Sequence, residues 1–521
     1  MVNQAKKRPA SGDKKSKTST PRKPAARAAK PRATRARPAA AKGSPEPQRK
    51  QKKSAQAGHD TGPPQALIGF MLKDWEPTRA DDSPIAHADA FLARRRALSA
   101  LFPGEALVIP TGHEKLRAND TYFRFRPGTD FYYLTGNTEP DGVLLLLPTK
   151  KGHRDVLLVE PNPGRSSPTF FTDRKKGELW VGPRLGVPES QRRFGVDEAR
   201  PLADLPALIA GLKKARALRG VDELLDPTLK TDPKKDAELA QALSEMRLLK
   251  EPLEIDELSS AIASTHRGFD DVISRLKKAR SEREVEGVFN LRARVEGNDV
   301  GYGTIAACGQ HACVLHWTHN NGAVKAGDLL LLDAGVEGNS LYTADITRSL
   351  PVSGKFTPAQ REIYDLVLAA QEAAMAQVKP GNDFLEPNRA AMVVLARGLE
   401  RLGILASADQ ALKEENQFYK RYTLHNVSHM LGLDVHDCAQ ARQETYKFGK
   451  LEAGMVLTVE PGLYFQVDDK TVPEKYRGIG VRIEDDVLVT EQGYRNLSEA
   501  IPRKADEVEK WMASVWSRKG S

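Results

Sequence analysis

Apolar positions along the chain fall into two regimes. Residues 1–65 are Lys, Ala, Pro, Arg and Ser with almost nothing to bury, and such a segment cannot offset its ordering entropy, so a disordered tail is expected. Beyond it, helical and strand periods follow one another. Residues 66–75 (ALIGFMLKDW) form a short apolar patch expected to dock on the body. Residues 87–102 carry the amphipathic period of a helix, stopped by Pro103-Gly104. Strand-like runs come at residues 106–110, 131–134, 142–147 and 156–159, then helical patterns at 202–217 and 236–249. Strands mixed with helices over about 170 residues predict an α/β domain.

A second unit opens at Glu251-Pro252, where proline suits the first turn of a helix, and residues 254–276 keep a helical period. Ser281–Glu284 (SERE) has the capping-box pattern, and Thr357-Pro358-Ala359-Gln360 repeats it, opening a helix that runs to about Val378 before Pro380-Gly381. Apolar runs at 329–332 and 456–459 read as buried strands, and 481–489 alternates as a strand. Antiparallel-looking strands under helices predict an α+β layer.

The 521 residues are too many for one ordinary domain. The expected division is a tail at 1–65, an α/β domain at 66–250, a larger α+β domain at 251–505 and a C-terminal helix or tail at 506–521. Charge supports treating the tail separately. Of a formal net charge of +10, residues 1–60 contribute +15 (18 Lys and Arg against 3 Asp and Glu), so the remainder carries −5. The basicity is a property of the tail, which is expected to contact nucleic acid or another acidic surface, or else to be simply solvated. Three cysteines make no disulfide framework, so a reducing, cytoplasmic location is expected. No apolar run reaches about 20 residues, so no membrane span is expected. The N-terminus has no apolar core of a secretory signal, and its prolines oppose an amphipathic presequence helix.

Candidate chemistry centres on residues 424–437, LHNVSHMLGLDVHD, with His425, His429 and His436. His425 and His429 are four apart, which predicts one face of a helical turn. The zinc-peptidase signature of that spacing has Glu after the first His; here Asn426 stands there. Anionic ligands must therefore come from elsewhere, and carboxylates do sit where they are costly. Asp333 ends the apolar run 329–332, Asp345 lies 12 residues on, Glu460 ends 456–459, and Glu484 lies two residues after Arg482 on a strand. Each alone is an ordinary strand-capping acid. Together, buried and ionised, they need compensating positive charge. Arg482 supplies one, and two divalent ions would supply four. Oxygen ligands with one imidazole suit hard to borderline metals such as Mn(II), and two ions sharing a water imply hydrolysis of an amide or phosphate ester. No nucleotide-binding fingerprint is present.

These residues, in this order, resemble the pita-bread metallopeptidases, and within them the aminopeptidase P (Xaa-Pro aminopeptidase) family. The matching strings are LLDAG at 331–335, ADITR at 344–348, HNVSHMLGLDVHD at 425–437, VEPGLY at 459–464 and GVRIEDD at 480–486. Upstream, GYGTIAACG at 301–309, VLHWTHN at 314–320, RPGTDFYYLTG at 126–136 and ELWVGPRLG at 178–186 also match. The resemblance implies a C-terminal pita-bread catalytic domain after a creatinase-type N-terminal domain. It implies cleavage of an N-terminal residue from a following proline by a hydroxide bridging two divalent ions, expected to be manganese. Asp333, Asp345, His429, Glu460 and Glu484 would be the ligands, with Asp345 and Glu484 bridging and Glu460 also taking the proton from the water. His316 and His436 would hold the substrate and the tetrahedral intermediate, and His425 would line the proline pocket. Tyr302, Tyr464 and Arg482 would support ligands and substrate from behind. The resemblance also implies a homo-oligomer, dimer or tetramer. Asn426 stands where Gly is usual, Tyr132 stands where a Trp that reaches a neighbouring subunit is found, and the Asp333–Asp345 loop is one residue longer.

Two other readings stay open on sequence alone. A prolidase would use the same chemistry on Xaa-Pro dipeptides only. A non-catalytic pita-bread module would hold a partner in its cleft, although such modules lose metal ligands and here all are in place.

Overall fold

The structure, a computed structural model, describes residues 62–76 and 80–518. The basic tail expected at 1–65 lies almost wholly outside the described residues. The N-terminal half is built on a five-stranded mixed sheet in the order Glu198–Pro201, Gly152–Val159, Val143–Thr149, Ala106–Pro110, Ala215–Ala217. The central strands pair antiparallel, with Val108 opposite Leu145 and Leu145 opposite Val156, and the two outer strands join parallel. Leu107, Val108, Leu144, Leu145, Leu157 and Leu158 are buried on both faces, which is why these runs are continuously apolar rather than alternating. The helix Ala88–Leu101 packs on this sheet through Leu98 and through Arg95, which is fully buried and donates to Asp155 at 2.7 Å.

Two local expectations are corrected here, and a third is met only in part. Residues 131–134 form no strand: they lie in the helix Thr129–Thr135, whose residues Phe131 to Thr135 are all buried and which ends on Gly136 at φ 66°. The aromatic run has the look of a strand, but the left-handed glycine cap and complete burial select a short helix. Residues 202–217 are not one helix. A 3-10 turn at Leu202–Asp204 leads into the helix Leu205–Ala210, and Ala215–Ala217 is the parallel edge strand. In the apolar patch at 66–75, Trp75 meets Phe170 edge-on at 5.3 Å, whereas Leu67 and Phe70 stay exposed. Tyr132 is itself buried against Phe91 of its own chain, ring centroids 6.2 Å apart.

The C-terminal half opens on the helix Pro252–Leu276, begun by a full capping box between Glu251 and Glu254. The next helix, Glu282–Glu296, crosses it where Gly268 lies under Phe289; a Cβ there would come within 2.6 Å of the ring. Ser281 caps this helix by accepting from Glu284 N–H, but the Glu284 carboxylate reaches the Arg280 N–H instead of closing the box. Thr357 and Gln360 form the complete box expected, and the helix Pro358–Met375 packs along Glu386–Arg401 over the sheets. Beneath them run antiparallel strands: Ile346–Pro351, Leu329–Ala334 and Ile305–Cys308 in one sheet, Val456–Val459, Asp485–Thr490 and Gly493–Asn496 in another, with Gly462–Tyr464 paired to Gly480–Arg482. One apolar core joins these strands to the four helices. A second cluster joins Phe131, Tyr132 and Leu98 of the N-terminal half to Leu341, Leu431, Leu433 and Val456 of the C-terminal half.

The halves are also joined by charge. Asp437, 1% exposed, accepts from Arg247 Nε at 3.0 Å and from Lys250 Nζ at 3.2 Å, and Arg247 also pairs with Asp130. No helix among the described residues is long and apolar enough to cross a membrane.

Candidate metal centre

Strand pairing delivers each acid to one place. In the antiparallel pair of Leu329–Ala334 with Ile346–Pro351, Asp333 stands opposite Thr347, and Asp345 lies just before that strand begins. An isolated bridge sets Thr347 against Glu484, in the break between Gly480–Arg482 and Asp485–Thr490. The backbone of residues 427–430 runs beside Val456–Val459: Thr458 N–H donates to His429 O at 3.0 Å and Glu460 N–H to Val427 O at 2.9 Å. His425 and His429 therefore do not sit on a helical turn, as their spacing predicts; that segment is irregular and extended. They converge all the same, gripping opposite oxygens of Glu460, His425 Nδ1 at 3.4 Å from Oε2 and His429 Nε2 at 3.6 Å from Oε1.

Asp345, His429 and Glu484 each offer a ligand atom, all within 4.8 Å of one another. His429 Nε2 stands 3.3 Å from an Asp345 oxygen. Asp333 is tied in through Tyr302, whose hydroxyl lies 2.7 Å from Asp333 Oδ1 and 2.5 Å from Asp345 Oδ1. Arg482, 3% exposed, donates to Asp333 at 2.5 Å and to the Tyr464 hydroxyl at 2.9 Å, and that hydroxyl meets His425 Nε2 at 2.8 Å. His436 lies edge-on to His429, ring centroids 4.4 Å apart. His316 is exposed, and its side chain has no hydrogen-bond partner among the described residues. It lies close enough to His425 and His436 to disfavour a proton on either.

The electrostatics call for cations. Burial, then Asp345, Glu460 and Asp333, push Glu484 far above the usual carboxylate range. Glu460 is raised to about 7 by burial, with Asp345 and Asp333 adding to it against His429 and Arg482. Asp333 is raised by burial and Asp345, Arg482 opposing. Burial works against a charge on His429, but the hydrogen bond to Asp345 and the charge of Glu460 lift it to about 9. His425 goes the other way, down to about 4, through burial and Arg482. Without added positive charge this cluster ionises only in part; divalent ions would let every carboxylate ionise and leave the imidazole neutral as a ligand. The donor set, oxygen-rich with one imidazole, fits that role.

Several supporting groups were not legible as site residues. Thr347 donates to Glu484 Oε2 at 2.6 Å; its place two residues after Asp345, on the same strand face, was the available signal. Fully buried Arg348 binds Asp485 at 2.8 Å and the Glu484 carbonyl at 2.6 Å. Gln371, from the overlying helix, donates to Asp485 at 2.8 Å and to Val459 O at 3.1 Å. A helical Gln carries no signal for this. A large cavity of about 640 Å³ lies elsewhere, between Val108, Val143 and Leu205; ligand convergence, not cavity size, marks the centre.

Comparison with known proteins settles the family. Residues 256–491 match the model of metallopeptidase family M24, and residues 91–219 match the aminopeptidase P N-terminal domain. The chain is 49% identical over 481 residues to Xaa-Pro aminopeptidase 1 of Streptomyces coelicolor, covering 91% of this chain and 97% of that one. The chain belongs to the aminopeptidase P group of the M24 metallopeptidases. To Xaa-Pro aminopeptidase of Escherichia coli it is 36% identical over 445 residues, covering 82% of this chain and 98% of that one. Among solved aminopeptidase P structures from E. coli, the complex with the inhibitor Pro-Leu superposes with a TM-score of 0.74 at 33% identity, covering 83% of this chain and 99% of the other. The zinc-substituted enzyme with product gives 0.74 at 34% identity, covering 84% and 100%. Membership carries the pita-bread architecture and divalent-metal peptidase chemistry.

Proposed function

We propose that this chain removes the N-terminal residue from peptides in which proline stands second. The observation that carries the reading is the convergence of Asp333, Asp345, His429, Glu460 and Glu484 beside His316, His425 and His436. These five side chains would hold two divalent ions, which would neutralise the carboxylates and acidify a water. Manganese suits the oxygen-rich set.

The chain's own groups do the rest. Glu460, its side chain 16% exposed and facing both His425 and His429, is placed to take the proton of the attacking water and return it to the departing proline nitrogen. His316 and His436, exposed at the mouth, would hold the scissile carbonyl and the charge that develops on it. His425, kept neutral and pinned by Tyr464, offers the proline ring an uncharged wall. Arg482 holds the Asp333 carboxylate in place, and Tyr302 bridges Asp333 to Asp345.

The test strips the protein of metal, restores Mn(II), and compares Xaa-Pro-Xaa tripeptides with Xaa-Pro dipeptides. Turnover of the tripeptide is expected only after metal returns, and to be abolished in Glu460→Ala and Asp345→Asn with the far-UV spectrum unchanged. Dipeptide-only turnover would reject the reading, and activity retained in either variant would reject that residue's role.

Three further assignments belong to this proposal. Exposed Leu179, Trp180 and Val181 support a homo-oligomer. All three cysteines are free and buried, which supports a reducing, cytoplasmic setting. Residues 1–65, with their run of Lys and Arg, would bind nucleic acid or another acidic surface; deleting them should abolish salt-sensitive DNA binding and leave peptidase activity intact.

A further inference from the structure

His316 has no side-chain partner among the described residues, so its place depends on the backbone that carries it. Gln466 holds the Cys313 carbonyl of that backbone, residues 309–322, at 2.8 Å, and one further side chain gathers its two ends and Trp317. Glu282, at the start of the helix Glu282–Glu296, is 0% exposed. Its Oε1 accepts from Cys308 N–H at 2.8 Å and from His311 Nδ1 at 2.8 Å. Its Oε2 accepts from Trp317 Nε1–H at 2.8 Å and from Gly322 N–H at 2.6 Å. A carboxylate only accepts, so the His311 proton sits on Nδ1. The Glu282 main-chain N–H adds a bond to Gly322 O at 3.0 Å. Both ends of the loop, and the residue directly after His316, thus converge on one side chain.

The fastening is built tightly. The His311 and Trp317 rings stack with centroids 4.0 Å apart and 27° between planes, so the two side-chain donors brace each other. A Cβ on Gly322 would come within 2.7 Å of Glu282 Oε1 and 2.6 Å of the His311 ring, leaving room only for glycine. Asn320, also 0% exposed, ties the far side of the loop to Ala306 N–H and Thr304 O at 2.9 and 2.8 Å. Starting the helix does not require Glu282, since Ser281 already caps it. Among the described residues no Lys or Arg pairs with Glu282; its one ionic contact is His311. A buried carboxylate is costly, and here four donors directed at one loop offset that cost.

We propose that Glu282 is a positioning residue for the peptidase reaction, setting His316 at the mouth of the site through the 309–322 loop. This rests on the reading of His316 given above. Glu282→Gln turns one oxygen into a donor facing two donors, and kcat should fall roughly 10- to 100-fold, the effect of a displacement of about an ångström or less. KM should move less than about threefold, with metal content unchanged. The deciding measurement is a double-mutant cycle. If Glu282 acts through His316, Glu282→Gln should cost nothing further in a His316→Ala background. Multiplying losses would overturn the inference while leaving the reading of His316 standing. A wild-type rate for His316→Ala would overturn both. Should Glu282→Gln fail to fold, Trp317→Phe, which loses one N–H and keeps a stacked ring, takes its place in the same cycle, with a smaller loss expected in the same direction. Full activity in Trp317→Phe, or additive losses in its cycle, would then overturn the proposal.

Discussion

Glu460 is held between two imidazoles of opposite disposition. His425 on one oxygen is lowered to about 4 by burial and Arg482, while on the other oxygen His429, despite its burial, is raised to about 9 by Asp345 and Glu460. The sign of the pH dependence follows. Glu460 at about 7 and His429 at about 9 keep their protons below those values in the ion-free protein, and a divalent ion held by both, as proposed, would displace those protons. Affinity for Mn(II) is therefore expected to rise with pH through that range, with protons released on binding. Titration calorimetry in buffers of different ionisation enthalpy measures this; an affinity flat between about pH 6 and 9, with no proton release, would reject it. The acids proposed as ligands were conspicuous at this scale because a carboxylate in or at the end of an apolar strand is costly. The His425–His429 spacing misled about local structure: the two side chains converge through pairing of extended backbone beside Val456–Val459, which no local period encodes.

The strands, as elements, hold the acids at fixed spacing, and the tightest point lies between two of them. A Cβ on Gly335 would come within 1.7 Å of the Ala344 carbonyl oxygen. This contact closes the strap from Asp333 to Asp345. Gly335→Ala must part the strap, so it is expected to reduce kcat/KM by roughly 100-fold or more and to weaken metal retention. Activity on a tripeptide and metal content by atomic absorption test this together; wild-type values for both would show that the strap tolerates opening. Element existence was largely legible here, and the exceptions have physical causes. The run Phe131–Leu134 has strand composition but is swallowed whole by the core as a helix. The helical period at 205–210 is real, yet Ala215–Ala217 is drawn off as a parallel partner of Ala106–Val108, more than 100 residues away. Glu282 and Gln371 look like ordinary helix residues, and only the folded chain shows what they hold.

For the molecule as a whole, Asp437 is the ionic joint. Burial works against its charge, but Lys250 and Arg247 hold it down at about 2. Its ordinary value is about 3.9, so its stabilisation is fully present above that value and is lost as pH falls towards about 2. Asp437→Asn would leave two buried cations short of a partner and should cost roughly 3–5 kcal/mol. Urea unfolding at neutral pH measures the cost, and the variant should lose part of the wild type's acid sensitivity; equal stability at neutral pH would count against the joint.

The same joint bears on how such a chain can be taken apart. Only residues 247–251 separate the helices Pro233–Met246 and Pro252–Leu276, and among them Arg247, Leu248 and Lys250 are buried. Proteases should find no foothold there. A C-terminal fragment made alone would bare Leu431 and Leu433 and strand the carboxylate adjacent to His436 in a greasy seam. The two halves are therefore poor candidates for shuffling as interchangeable modules: whichever domain precedes this catalytic body must bring its own pair of cations to the seam.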